Sequence, residues 1–194
     1  LALLPSYLER EGSSLIYMMK ALIEDSGHRD NGFFLHDRDR LRRLLEHPDP
    51  HRKTLLIGVS FALLDLVEEG AMQLENTIVM ETGGMKGRRH EPVREELHKE
   101  LMAGLRVEVI HSEYGMAELL SQAYSTGGGI FQTPPWMRFY LRDAHDPLAQ
   151  ASAGRTGGLN IVDLANIHSC SFLATADLAR QTAPGRHEIL GRMD

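Results

Sequence analysis

The order of the apolar segments constrains the fold of this chain more than any other sequence feature. In the first two thirds, short apolar runs typical of buried strands alternate with segments whose apolar residues recur at helical spacing. Apolar strands separated by helices predict a mostly parallel sheet covered by helices. The predicted strands are LALLP, GFFLH, KTLLIGVS, NTIVMET and RVEVIHS.

Helix ends in this part are marked by residues that usually cap helices. The segment SYLEREGSSLIYMMKALIEDSG predicts a helix that ends at Gly27, a common C-cap residue. DRDRLRRLLEHPDP begins with acidic capping candidates and stops before Pro48. FALLDLVEEGA predicts a third helix, and Pro92 and Gly104 bracket a fourth.

The last third of the chain has a different pattern. It contains strand-like runs divided by Gly, Pro and Asp, namely WMRFYLRD, GLNIVDLAN, CSFLATADL and HEILGR. These runs predict a smaller antiparallel sheet or barrel. The glycine-rich segment STGGGIFQTPP marks the boundary, so we expect an α/β part over residues 1–125 and a β-rich subdomain over residues 126–194.

Composition excludes several classes of protein. A net charge of −6 without a basic run argues against a nucleic-acid-binding protein. No apolar run is long enough to span a membrane. The single cysteine, Cys170, allows no internal disulfide, which fits a reducing cytoplasm, and its apolar surroundings predict a core residue. The chain begins without Met inside an apolar stretch and stops at EILGRMD, which favours the middle of a larger polypeptide.

Two strand ends carry residues suited to ligand binding. Gly83 and Gly84 follow the strand NTIVMET, and VEVIHSEYGMAELLSQAY predicts a strand that gives way to a helix near Tyr114 and Glu118. In open α/β sheets, ligands bind at the carboxyl ends of strands. Glycine has no Cβ, so a paired glycine lets backbone approach a flat ligand, although a tight turn is the simpler interpretation.

Three candidate side chains have both a functional and an ordinary interpretation. Tyr114 could stack on a base or be half-buried with its hydroxyl bonded. Glu118 could bind Mg²⁺ or interact with the dipole of a helix that it opens. Asp177 could accept ribose hydroxyls or sit in a turn. No pair of histidines has the spacing of a zinc site, and His111, which precedes Tyr114, is the histidine to examine.

Four motifs, in this order, resemble the core motifs of adenylate-forming acyl ligases. They are the glycine pair after a strand, SEYGMAE, NIVDLANIHSCSFLATADLA and LGRMD. METGGMKGRR and IHSEYGMAELLSQAYS are similar to the acyl-protein synthetase (LuxE-like) branch. The resemblance extends over nearly the whole chain. It implies a fragment of the large N-terminal domain, with a phosphate loop before residue 1 and a lysine-bearing lid after the hinge residue Asp194.

The resemblance also implies roles for individual residues. Gly83 and Gly84 would lie against adenine and ribose, Tyr114 would stack on adenine, and Asp177 would hold the ribose hydroxyls. Glu118 would bind Mg²⁺ beside the phosphates and is the expected catalytic residue. Further nucleotide-binding residues would be Met85, Ser112, Gly115, Met116, Ala117 and Arg192. Substrate-binding residues would be Val59 and Phe61, which could equally be plain core residues.

The chemistry that the resemblance implies is attack of a fatty-acid carboxylate on the α-phosphate of ATP, with Mg²⁺ as cofactor. Acyl-AMP and pyrophosphate form, and the acyl group then passes to a thiol of an acceptor protein. Ala117 departs from the usual threonine, whose hydroxyl meets the α-phosphate; such a lost bond costs about 1.5–3 kcal/mol. A non-catalytic homologue that binds nucleotide or a partner, and an AMP-forming acyl-CoA ligase, remain alternatives.

Overall fold

The computed structural model describes residues 1–4, 12–83, 93–152 and 154–193. They form two compact units, Leu1–Glu113 and Tyr114–Asp194. The sequence pattern placed the change of architecture at residue 126, whereas the structure divides the chain before Tyr114. Residues 114–125 therefore belong to the second unit.

The first unit is built on a parallel sheet. Its strands lie side by side in chain order, and each neighbouring pair is parallel. They are β1 (Ala2–Leu3), β2 (Thr54–Val59), β3 (Thr77–Thr82) and β4 (His111–Tyr114). The helices are α1 (Ser14–Ser26), α2 (Arg38–Glu46), α3 (Ser60–Glu68) and α4 (Arg94–Leu105). The predicted helix-covered parallel sheet is confirmed.

The caps of α1 and α2 are those that the sequence indicates. The Ser13 hydroxyl accepts a hydrogen bond from the Ile16 amide at the start of α1. Gly27 ends this helix with a φ of 59°, a left-handed conformation that glycine adopts without strain. At the start of α2, the Asp37 carboxylate accepts from the amide of Arg40. Local capping chemistry therefore fixes where these helices begin and end.

Two strand predictions in the first unit need correction. GFFLH is not a strand, because only Phe33 forms an isolated bridge to Ala2, while Phe34 turns its side chain into the core. RVEVIHS becomes a strand only at His111. The α4 helix ends in a left-handed residue, Arg106, and the next amide bonds back to Met102, so the chain is still leaving the helix where a strand was expected.

The second unit is an antiparallel sheet in the strand order β5-β6-β10-β9-β8-β7. The strands are β5 (Ala123–Ser125), β6 (Ile130–Gln132), β7 (Met137–Arg142), β8 (Thr156–Asp163), β9 (Phe172–Ala183) and β10 (Arg186–Arg192). A 3₁₀ turn, Leu164–Asn166, follows β8. The predicted β-rich part is confirmed, and its core includes Phe131, Phe139, Leu159, Ile161 and Ile189.

The helix predicted after Tyr114 is wrong. Residues 115–122 form turns that lead into β5. The reason is long-range, because the amides of Leu120 and Ser121 donate to the carboxylate of Asp163 and not to carbonyls one turn earlier. Cys170 is also misplaced by the sequence pattern: it is exposed just before β9 and is not a core residue.

None of the helices in the described ranges combines the length and the apolar character that crossing a lipid bilayer requires.

A methyl group at Gly104 should destabilise the first unit. A Cβ there would lie 2.1 Å from Cγ1 of Val67, where α4 packs against α3. Overpacking typically costs about 1–3 kcal/mol, against a helix-propensity gain of about 1 kcal/mol for Gly→Ala. We therefore expect Gly104→Ala to lower the free energy of unfolding measured in urea.

The matched control is the same change made beside a smaller neighbour. In a Val67→Ala background the clashing methyl groups are gone, so Gly104→Ala should cost less there than in the wild type. An equal loss in both backgrounds would contradict the packing argument.

Candidate functional site

Two candidate nucleotide-binding side chains contact each other in the second unit. The hydroxyl of Tyr114 donates to Oδ2 of Asp177 at 2.5 Å, although the two residues are 63 positions apart. The ring of Tyr114 makes T-shaped contacts with Phe131 and Phe139, with ring centroids 6.1 and 5.9 Å apart. One hydrogen bond and two aromatic contacts therefore fix the orientation of this ring.

The surroundings of Tyr114 keep its phenol protonated. Burial raises the pKa of Tyr114, and the hydrogen bond and negative charge of Asp177 raise it further. Arg192 faces Asp177 in the β9–β10 pairing and opposes this shift with its positive charge. The hydroxyl of Thr175 accepts a hydrogen bond from the amide of Asp177 and donates one to the carbonyl of Leu159. These two hydrogen bonds stabilise the part of β9 that carries the Asp177 carboxylate.

The candidate residues after Tyr114 lie on a turn whose side chains largely face solvent. Gly115, Ala117 and Glu118 are exposed, whereas Met116 packs against the core of the second unit. The amide of Leu119 donates to the carbonyl of Met116 and closes the turn. The Glu118 carboxylate is therefore accessible to solvent.

Asp163 is a residue that sequence reasoning missed. It is fully buried at the end of β8, and its Oδ2 accepts the amides of Leu120 at 3.2 Å and Ser121 at 3.0 Å. Its Oδ1 accepts the Ser121 hydroxyl at 2.8 Å and the Ala165 amide at 3.1 Å. The available signal was local: Asp before a short Leu-Ala-Asn turn is a typical capping residue.

A pocket with a volume of about 550 Å³ lies beside this carboxylate in the second unit. The indole N–H of Trp136 donates to the Ser121 hydroxyl at 2.9 Å and so connects the pocket wall to Asp163. Among the described residues, none with a charged side chain lines it: the lining residues are Leu120, Ser121, Gln122, Tyr124, Gln132, Thr133, Pro134, Trp136 and Ala165. A mostly apolar wall with a few amides and hydroxyls is typical of small-molecule sites. We call it the Trp136 pocket.

The remaining candidates that the structure describes belong to the first unit. Gly83 follows β3 with a φ of 57°, and its carbonyl accepts the Ser60 hydroxyl at 3.2 Å. Val59 and Phe61 are buried in the core, with 2% and 7% of their surface exposed. Gly84, Met85 and Asp194 lie outside the described residues. The expected meeting of the glycine pair and Tyr114 around a purine stays a prediction.

Ser112 is fully buried in a polar cluster of the first unit. Its hydroxyl lies 3.4 Å from Nε2 of His98, which lies 3.5 Å from Oε1 of Glu81. Burial alone would raise the pKa of Glu81, but hydrogen bonds from His98 and Ser112 and the charge of Arg94 hold it below its ordinary value. The Ser112 hydroxyl is therefore part of this buried cluster, and its contact with the edge of a nucleotide base stays a prediction.

Two neighbours of this cluster have contrasting environments. Burial raises the pKa of Glu113, and the hydrogen bond from the Thr82 hydroxyl at 2.5 Å only partly offsets this effect. Nδ1 of His111 is buried and has no hydrogen-bond partner among the described residues. No sequence signal distinguished His111 from the other histidines in this respect.

No group of three acidic, His or Cys side chains that could hold a metal ion occurs among the residues that the structure describes. A Mg²⁺ bound with a nucleotide would need only one or two carboxylates, because phosphates and water would complete its shell. Glu118 has the exposed carboxylate that such a site needs.

The fold has close counterparts among solved structures. ATP-bound MatB from Rhodopseudomonas palustris matches with a TM-score of 0.58 at 18% identity, over 80% of this chain and 33% of that one. The fold is therefore similar to that of part of MatB. O-succinylbenzoate Coenzyme A synthetase (MenE) from Bacillus subtilis, in complex with ATP and magnesium ion, matches at 0.54 and 17%, over 80% and 34%.

A benzoate CoA ligase from Burkholderia xenovorans matches with a TM-score of 0.51 at 16% identity, over 80% of this chain and 34% of that one. The chain therefore spans about a third of the length of these enzymes. No protein-family model and no curated protein matches it. At these identities the likeness concerns the fold alone, and the expected α/β fold with a β-rich part is confirmed.

Replacing Glu81 by Gln should make the stability of the protein less sensitive to acid. The folded-state pKa of Glu81 is depressed below 4.5, so its contribution is present above that pH and is lost as the pH falls through the folded pKa. The difference in unfolding free energy between wild type and Glu81→Gln should shrink from pH 7 to pH 3 in urea titrations.

Glu113 supplies a matched control of opposite sign. Its folded-state pKa is raised, so its contribution is present below the unfolded pKa of 4.5 and is lost as the pH rises through the folded pKa. Glu113→Gln should therefore make the acid loss steeper. Parallel pH profiles for both variants and the wild type would show that neither carboxylate is perturbed in this way.

Proposed function

We propose that this chain is the nucleotide-binding part of an ATP-dependent ligase that activates a carboxylic acid as acyl-AMP and transfers the acyl group to a thiol. One observation carries the proposal. Tyr114 and Asp177, which the motifs assign to adenine and ribose, are in direct hydrogen-bonding contact although far apart in sequence. The fold of adenylate-forming enzymes supports the same interpretation.

In the proposed reaction, an oxygen of the acid attacks the α-phosphorus of ATP while the bond to the β-phosphate oxygen breaks. Pyrophosphate leaves with the electron pair, and acyl-AMP remains. A bound Mg²⁺ would supply positive charge that offsets repulsion between the anionic acid and the phosphates. Glu118 would hold that ion, Tyr114 would stack on the adenine, and Asp177 would accept the ribose hydroxyls. Arg192 stands beside Asp177.

The Trp136 pocket is the proposed site for the apolar body of the acid. It has space for a small organic molecule, and the absence of charge on its walls suits a hydrocarbon or aromatic group. Val59 and Phe61 are buried in the core of the first unit, so they could contact the acid only if the side chains packed around them moved apart. We therefore favour the Trp136 pocket over the site that the sequence suggested.

The identity of the thiol acceptor has two candidates. The motifs METGGMKGRR and IHSEYGMAELLSQAYS favour a protein cysteine, as in acyl-protein synthetases. The matched solved structures include enzymes named as CoA ligases or synthetases, which favours coenzyme A. A cytoplasmic site of action is part of the proposal, because the lone Cys170 is consistent with a reducing compartment.

A non-catalytic homologue is favoured by one residue only. Ala117 lacks the hydroxyl that would meet the α-phosphate, and it is exposed. Acid-dependent exchange of labelled pyrophosphate into ATP, measured on the full-length protein with fatty acids, separates the two readings. Sustained exchange supports the ligase, and its absence with every acid supports binding alone. Acyl transfer to free coenzyme A, compared with transfer to protein cysteine, then identifies the acceptor.

Substitutions of Tyr114 should separate its ring from its hydroxyl. If the ring stacks on adenine, Tyr114→Ala should weaken binding of a non-hydrolysable acyl-AMP mimic about tenfold or more, because base–aromatic stacking is worth about 1–3 kcal/mol. Tyr114→Phe keeps the ring and should bind within about threefold of the wild type, a change of less than 1 kcal/mol. Calorimetry on the full-length protein measures both, and equal binding by Tyr114→Ala and wild type would exclude stacking.

The only tryptophan in the chain reports directly on the proposed acid pocket. Fatty acids or aromatic acids that enter it should change the emission of Trp136, a residue that is 52% exposed. Leu120→Asp places a charge in the pocket wall and should abolish this change, whereas Leu148→Asp, on a fully exposed surface residue of the same unit, should not. Emission that is insensitive to every acid that supports exchange would place the acid elsewhere.

A further inference from the structure

Two buried side chains form hydrogen bonds with the backbone of the turn that carries Glu118, at Glu118 itself and at Leu120 and Ser121. Asn166, which is 3% exposed, donates from Nδ2 to the Glu118 carbonyl at 2.8 Å. Asp163 accepts the next available amides, those of Leu120 and Ser121. Asp163 ends β8 and Asn166 ends the 3₁₀ turn that follows it, so both anchoring side chains come from one short stretch of chain.

We propose that Asp163 and Asn166 are positioning residues, which fix the backbone from the Glu118 carbonyl to Ser121 so that the Glu118 carboxylate is held where the metal–nucleotide complex binds. The inference rests on the proposed function, because it takes Glu118 as the Mg²⁺ residue. Neither positioning residue touches nucleotide in this proposal; each acts through the turn.

The placement of these bonds argues for positioning as well as stability. The turn between Gly115 and Glu118 exposes most of its side chains, so packing alone constrains it little. A carboxylate on a loosely held turn would lose conformational freedom each time it bound a metal. Fixing the φ and ψ angles around Glu118 through buried partners removes that cost before the metal arrives, which is the usual benefit of preorganisation.

The hydrogen bonds to the Asp163 carboxylate are also of a strong kind. Hydrogen bonds from neutral amides to a carboxylate are stronger than those between neutral groups, and a buried carboxylate without them is costly. Asp163 accepts three bonds from amides and one from a hydroxyl within the second unit, and three of the four come from Leu120 and Ser121, which follow Glu118 in sequence. An Asn in place of Asp163 would turn one acceptor into a donor that faces donors.

The test is the Mg²⁺ dependence of acid-dependent ATP–pyrophosphate exchange by the full-length protein. We expect Asp163→Asn and Glu118→Gln each to raise the Mg²⁺ midpoint about tenfold, as expected for a misplaced or lost charged contact. The double variant should have a midpoint within about twofold of Glu118→Gln alone, because non-additive effects mark residues that act through one another.

A merely structural role predicts something different. It would lower the thermal midpoint, followed by Trp136 emission, while leaving the Mg²⁺ midpoint within about twofold of the wild type or adding to the effect of Glu118→Gln. Either result overturns the inference. Asp143→Asn is the control, because this exposed carboxylate also accepts two backbone amides, from His145 and Asp146, in the same unit. It should leave the Mg²⁺ midpoint unchanged.

Two further results also have a defined interpretation. If Asp163→Asn does not fold, Asn166→Ala carries the test under the same criterion, because it removes the hydrogen bond to the Glu118 carbonyl and keeps the Asp163 bonds. If the wild type shows no exchange with any acid, the proposed function is wrong and the inference falls with it. Exchange by the wild type with an unshifted Asp163→Asn variant overturns the inference alone.

Discussion

The second unit depends on a carboxylate that has no exposure to water. Asp163 is fully buried, and a buried carboxylate is tolerated only where hydrogen-bond donors surround it. The donors are the Leu120, Ser121 and Ala165 amides and the Ser121 hydroxyl, so the segment after Glu118 is committed to the end of β8. These hydrogen bonds determine the path of the chain between Tyr114 and β5, and they position Leu120 and Ser121 in the wall of the Trp136 pocket.

The sequence predicted the elements whose cause is local. Apolar runs separated by capped helices give the parallel sheet of the first unit, and Ser13 and Gly27 bound α1 because their capping chemistry is contained within a few residues. The helix expected after Tyr114 failed because its cause lies elsewhere. Its apolar spacing is helical, but its amides pair with Asp163, which is more than forty positions away. A local window contains no information about such a bond.

The candidate site shows the same division. Motif order predicted that Tyr114 and Asp177 belong to one site, and the structure places the two side chains in hydrogen-bonding contact. The partners that hold them could not be predicted, since Phe131 and Phe139 come from strands whose register the sequence does not fix. Cys170 was misjudged for a related reason: strand β9 leaves much of one face exposed, so an apolar run there does not imply burial.

The bond between Tyr114 and Asp177 is compatible with the roles proposed for both. A carboxylate has about four acceptor positions, and the phenol uses one of them, so ribose hydroxyls have acceptor positions left. The raised pKa of Tyr114 keeps its proton on the phenol, which makes it a lasting donor and not a competing anion beside the phosphates. The same bond contributes to the orientation of the ring, together with the contacts to Phe131 and Phe139. The residue that would recognise the ribose therefore also orients the residue that would stack on the base, so loss of either side chain should disturb both contacts.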